Sequence, residues 1–181
     1  IGDGRYAVQY TVLKADNYSV FVKTAGTDIF CGRGEEEKCS PFSLTVEPGA
    51  TVAQTSEAES RISRGVSVTG MDSLVEAAAG DTASFSIQAK DTYGNNRLTG
   101  GDAFEVMMTH QIYPQIRYRG TTQDVGNGSY VVTYTIPTAG YYDMSVTLGN
   151  EAILTCTDAY TFTRPNTNHF DGGQFFGLLF E

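Results

Sequence analysis

Gly126-Asn127-Gly128-Ser129-Tyr130-Val131-Val132-Thr133-Tyr134-Thr135 decides the fold, because the same pattern stands 124 residues earlier as Gly2-Asp3-Gly4-Arg5-Tyr6-Ala7-Val8-Gln9-Tyr10-Thr11. The match runs on without a gap: Ala15 meets Ala139, Tyr18 meets Tyr142, Val22 meets Val146 and Ile29 meets Ile153. An ungapped register of that length marks an internal repeat. Tyr130, Val132 and Tyr134 alternate with Val131 and Thr133, the period of a strand with one buried face. Tyr6, Val8 and Tyr10 repeat the pattern in the first copy. A polar turn follows in each (Lys14–Asp16 and Pro137–Gly140). A second alternating run then gives Tyr18, Val20, Val22 and Tyr142, Met144, Val146. The Gly-x-Gly before each first strand supplies turn angles that a β-carbon resists.

The second copy carries a preamble that the first lacks. Ala83–Asp91 reads as a strand with Phe85, Ile87 and Ala89 on one face, and Asp91–Asn96 as a turn rich in residues that tolerate positive φ. Phe104, Val106 and Met108 alternate in a further strand, and Ile112–Tyr118 has room for another. Composition agrees: 20 Gly, 11 Tyr and 10 Phe, with no Trp, suit a chain of half-buried strands and tight turns. The fold expected is all-β, a tandem of immunoglobulin-like sandwiches. Residues 1–49 read as the last strands of one sandwich, incomplete at its N-terminus; 50–165 as a complete one; and 166–181 as a linker and the start of a following segment or domain, or a segment that docks on a neighbour. The crossing between units falls in Glu47–Ser60.

These residues resemble filamin-type immunoglobulin-like repeats. The shared motifs are Asn127-Gly128-Ser129-Tyr130, Pro137, Ala139-Gly140-Tyr141-Tyr142 and Leu148-Gly149 in the second copy. In the first they are Gly2–Tyr6, Ala15–Tyr18 and Ser40-Pro41-Phe42. The resemblance covers most of residues 1–163, and Asp91-Thr92-Tyr93-Gly94-Asn95 is also similar to bacterial Ig-like adhesin repeats. Two departures stand out: Thr157–Tyr160 replaces the second Ser-Pro-Phe, and Cys31–Cys39 is inserted before the first. The resemblance implies a rod-building module without catalytic activity that accepts extended partner strands beside its third strand, Phe104–Thr109. With Phe104, Val106 and Met108 inward, Glu105, Met107 and Thr109 face out as the candidate contact row.

Cys31 and Cys39 flank a short loop with two glycines, and a disulfide closes it if their α-carbons approach within about 7 Å. Three reduced cysteines are the alternative, and Cys156 is either a free thiol or a link to another chain. Asn17-Tyr18-Ser19 and Asn127-Gly128-Ser129 are glycosylation acceptors, both expected in turns. Together these features point to an extracellular or cell-surface setting, the ciliary surface included, with a cytoskeletal or axonemal one as the alternative.

The 181 residues carry 12 Lys and Arg against 21 Asp and Glu, a net charge of −9, which opposes phosphate backbones as partners. No apolar run nears the roughly 20 residues of a membrane helix. The two histidines, His110 and His169, keep no metal-ligand spacing, and Gly2-x-Gly4 precedes a strand where a dinucleotide motif needs a helix. Glu35–Glu37 reads as a solvated acidic loop. No cofactor, metal or catalytic residue is expected. Partners are neighbouring repeats and other protein chains, in a structural module of a long tandem array. An adhesin or carbohydrate- or protein-binding module is the alternative.

Overall fold

The computed structural model describes residues 4–29, 40–60, 74, 76–153 and 176–180, with residues 60, 76 and 176–180 as backbone only. The chain divides into two units, Ile1–Pro48 and Gly49–Glu181. In the first, β1 (Asp16–Val20) pairs antiparallel with β4 (Phe42–Val46), and β2 (Lys23–Thr24) with β3 (Thr27–Asp28) in a two-residue hairpin. The turn sits at Ala25 and Gly26, both at positive φ. Tyr18, Val20 and Val22 are half-buried on one face, as the alternation requires.

The expected first strand of this unit does not form. Residues 5–13 lie outside any strand, and Tyr6 is 92% exposed. The physical reason is pairing: the equivalent strand of the second unit is flanked on both sides, and no described strand of the first unit pairs with residues 5–13. A strand without a ladder partner has nothing to hold it extended.

The second unit opens with a 3-10 turn at Ala53–Thr55 and forms a two-sheet sandwich. One sheet has the order β10-β11-β7-β5, formed by β5 (Glu57–Ser60), β7 (Thr82–Gln88), β10 (Thr121–Asp124) and β11 (Ser129–Thr135). The other has the order β6-β14-β12-β8-β9, formed by β6 (Glu76–Ala77), β8 (Phe104–His110), β9 (Arg117–Arg119), β12 (Gly140–Leu148) and β14 (Phe176–Phe180). The short β13 (Glu151–Ala152) also pairs with β12. Phe176–Phe180, read from the sequence as opening a following segment, is therefore a strand of this second sheet.

Alternation fills the space between the sheets. Phe85 and Ile87 of β7 and Tyr130, Val132 and Tyr134 of β11 meet Phe104, Val106 and Met108 of β8 and Tyr142, Met144 and Val146 of β12, all buried. The rings of Phe104 and Tyr130 meet edge to face at 4.9 Å. Tyr130 keeps its hydroxyl satisfied at depth: it donates to Asp102 Oδ2 and accepts the Asp102 N–H, both at 2.9 Å. Burial, reinforced by the Asp102 carboxylate, pushes the phenol up to about 12.

Asp91, only 2% exposed, organises the start of the unit. Its carboxylate accepts the N–H groups of Tyr93 and Asn95, the Asn95 side-chain amide and the Gly49 N–H, each at 2.9 Å. Burial would raise its pKa, but these hydrogen bonds outweigh burial and hold it down at about 2. A depressed carboxylate contributes stability that is whole above about pH 4 and is lost as the pH falls towards 2. Asp91→Ala is expected to cost about 2–4 kcal/mol in urea unfolding at pH 7, and much less at pH 2. Equal losses at both pH values would refute the role.

Candidate partner-strand site

Register fixes which side chains β8 shows to its surroundings. Phe104, Val106, Met108 and His110 are buried, Glu105 is exposed, and Met107 and Thr109 are half-buried. The three outward residues predicted from the sequence thus share one face. The strand that carries them is not a free edge: β12 pairs with it along its whole length, and β9 pairs with Met107, Met108 and Thr109 on the other flank. Cross-strand neighbours complete the outer row, with Arg119 opposite Met107, Arg117 opposite Thr109, Ser145 behind Met107 and Asp143 behind Thr109. The Arg119 guanidinium reaches 4.0 Å from Glu105, with both groups largely exposed, a contact worth little in water.

The loop that delivers β9 is tied down at its base. His110 Nδ1 accepts the N–H groups of Ile112 and Tyr113 at 3.1 and 3.2 Å, and Gln111 N–H bonds to the Tyr141 carbonyl at 3.0 Å. An accepting Nδ1 places the proton of the neutral ring on Nε2. The ring packs edge to face on Tyr142 at 4.9 Å. The Arg117 side chain donates back to the Pro114 carbonyl at 2.9 Å.

After three residues the chain leaves this sheet at Gly120 and enters β10 of the other. A β-carbon on Gly120 would lie 3.0 Å from both Val106 and Val132, inner residues of opposite sheets. Glycine is required there because the backbone passes between the two faces. The crossing limits β9 to three residues, and the Val106 carbonyl is met by the Gly120 N–H at 3.0 Å in place of a further strand residue.

The remaining candidates are dispersed. Asn127 sits exposed in the turn between β10 and β11, its Oδ1 accepting the Ser129 N–H at 3.1 Å. Asn17 lies on β1 instead of in a turn, because it pairs with Thr45 and accepts that hydroxyl at 2.8 Å. Cys31, Cys39 and Cys156 are outside the described residues. No group of three or more His, Cys, Asp or Glu gathers among the described residues, and no helix among them is long and apolar enough to cross a membrane.

Sequence reasoning missed a tyrosine tether that the repeat contains twice. Tyr142 Oη donates to the Thr138 carbonyl at 3.1 Å and Tyr18 Oη to the Lys14 carbonyl at 2.8 Å, in each case four residues back. Burial, with Tyr118 nearby, raises the Tyr142 pKa and keeps it a donor. The signal was the conserved spacing within the internal repeat, Tyr18 over Tyr142 and Lys14 over Thr138.

Two sheets packed face to face, antiparallel except where β14 meets β6, with a strand that changes sheet through Gly120, define an immunoglobulin-like sandwich of the repeat type. The family model of the Filamin/ABP280 repeat matches residues 60–156, and the chain belongs to that family. Over 102 aligned positions, which cover 49% of this chain and 2% of the relative, the chain is 33% identical to the dynein alpha chain of the flagellar outer arm of Chlamydomonas reinhardtii. Among solved structures, the Lin-41 filamin domain is 13% identical with a TM-score of 0.48, covering 74% of this chain and 98% of that one. The Escherichia coli adhesin FdeC is 19% identical with a TM-score of 0.44, over 77% of this chain and 38% of that one.

The opposed faces of neighbouring methionines give a direct check. Met107→Ser is expected to change unfolding stability by less than about 0.5 kcal/mol, whereas Met108→Ser, emptying a fully buried site, costs about 2–4 kcal/mol. Similar values for the two would mean the face assignment is wrong.

Proposed function

We propose that the chain is a non-catalytic structural and interaction module of a long tandem-repeat protein, spacing neighbouring domains and taking partner strands on the β9 flank of β8. Glu105, Met107 and Thr109 form the contact row. The observation that carries this reading is the size of β9, which pairs with only three of the seven residues of β8. An extended partner that replaces β9 continues the ladder past Val106, whose carbonyl the Gly120 N–H already meets, to Phe104, which β9 does not reach because Gly120 carries the chain to the other sheet. Ladder bonds supply affinity in such pairing and alternate side chains supply specificity. Met107 offers a pliable apolar contact in that row.

The setting has two supports that point apart. The likeness to a flagellar outer-arm dynein chain supports an axonemal assembly. Cys31, Cys39 and the sequons at Asn17 and Asn127 support an extracellular or ciliary surface. Non-reducing peptide mass spectrometry of the natively isolated protein separates them. A linked Cys31–Cys39 peptide or a glycan on either asparagine decides for the surface, and free thiols with bare asparagines decide for the axoneme.

The module reading is tested by locking β9 in place. Met107 and Arg119 are directly opposed, so Met107→Cys with Arg119→Cys, on a chain whose own cysteines are changed to serine, staples β9 to β8. Peptides selected by display on the full chain are expected to lose at least about tenfold in affinity when the staple is oxidised and to regain it on reduction. Peptides that bind both forms equally would overturn the site.

A further inference from the structure

The last strand of each unit is interrupted at the same place and resumed in the same register. In the first unit β3 ends at Asp28, Ile29 N–H bonds to the Val22 carbonyl at 3.0 Å, and pairing resumes with Phe42 opposite Val20. In the second, β13 ends at Ala152, Ile153 N–H bonds to the Val146 carbonyl at 3.1 Å, and pairing resumes with Phe176 opposite Met144. The remaining pairs also correspond: Tyr18 with Leu44 and Tyr142 with Leu178, then Asp16 with Val46 and Gly140 with Phe180. The sequence repeat at an offset of 124 conceals this, because the final strands are related by an offset of 134.

Aligned by structure, the two strands read Phe-Ser-Leu-Thr-Val and Phe-Gly-Leu-Leu-Phe. The first, third and fifth positions keep their character, and the second and fourth do not. Register puts the kept positions opposite Val20, Tyr18 and Asp16 in one unit and opposite Met144, Tyr142 and Gly140 in the other. Met144 and Tyr142 are fully buried, so the kept positions lie on the core face of the sheet. Two solutions of one slot within one chain define what the slot reads.

We propose that the flank of β12 along Gly140–Met144 is an acceptor site for Phe-x-Leu-x-apolar strands, filled by Phe176–Phe180 of its own chain and filled in trans by the same segment of a second copy. Five antiparallel pairs with β12 and two parallel pairs with β6 hold β14. The sheet that receives it is otherwise complete, from β12 through β8 to β9. Residues 154–175 separate β14 from β13, a connection that extends to roughly 70 Å. Exchange between copies replaces each contact with an identical one, so protein concentration set against the tethered strand's effective concentration decides the outcome. An empty flank would leave a long open edge, which a β-sheet does not tolerate in water. The site stands apart from the partner-strand reading, which concerns the opposite flank of β8.

The test uses the full chain with its cysteines changed to serine. One population carries Asp143→Cys and another Gly177→Cys, residues directly opposed in the register. Mixed near the effective concentration of a tethered strand, about 1 mM, they are expected to form a disulfide between chains at least about tenfold faster than Asp143→Cys mixed with Leu179→Cys, which is out of register. A synthetic peptide of residues 171–181 should suppress the link. A same-chain double variant, Asp143→Cys with Gly177→Cys, should link internally at low concentration. Linking only within a chain would overturn exchange, linking without register preference would overturn the site, and no linking in the double variant would overturn both.

Discussion

Three backbone N–H groups and one side-chain amide converge on the Asp91 carboxylate, and the elements on either side of it take their positions from that convergence. Gly49 opens the second unit, and its N–H points at the same group that closes the turn after β7. Val52 and Lys90 then bond through their backbones, and Arg97 reaches the Gly49 carbonyl at 2.6 Å. The turn residues follow from this need: Gly94 adopts positive φ, and Asn95 supplies two donors from one residue. A buried charge is costly unless every lone pair is occupied, and here the occupation fixes where the first strand of the sandwich must begin.

From that anchor the sandwich is built by alternation, and its limits are set by its edges. The flanking strands are β5 and β10 on one sheet and β6 and β9 on the other, none longer than four residues. Short edges restrain unplanned pairing. They also mean that the long inner strand β8 lies one short strand from exposure, and β12 two, β14 and then β6. Both binding proposals arise from this economy: each concerns a long strand covered by a shorter one.

Much of this was legible in the sequence, because period-2 patterns survive folding when both faces have partners. The inward set on β8 and the outward set Glu105, Met107 and Thr109 follow from alternation, and the turn at Asp91 from its Gly and Asn; the strand read over Ala83–Asp91 forms as Thr82–Gln88, three residues shorter at its end. Three features did not follow. Tyr6, Val8 and Tyr10 carry a good strand pattern, yet pattern records which face can be buried and not whether a neighbour is there to bury it. The flank of β8 taken by β9 depended on Gly120, whose requirement is steric contact with Val106 and Val132 from different sheets, invisible in a linear reading. Phe176–Phe180 was missed because an insertion shifted its offset, and only pairing on β12 restores the equivalence with Phe42–Val46.

The crossing at Gly120 also has a mechanical meaning. One residue joins a strand of one sheet to a strand of the other, with no slack between them. Removing β9 from β8 therefore pulls directly on Thr121, the first residue of β10, which pairs with Thr133 at the margin of the opposite sheet. Load applied at one face is delivered to the other as peeling of a four-residue strand, a far weaker geometry than shear along a long one. A module of this kind in a tensioned array would report occupancy of one edge as looseness at the other.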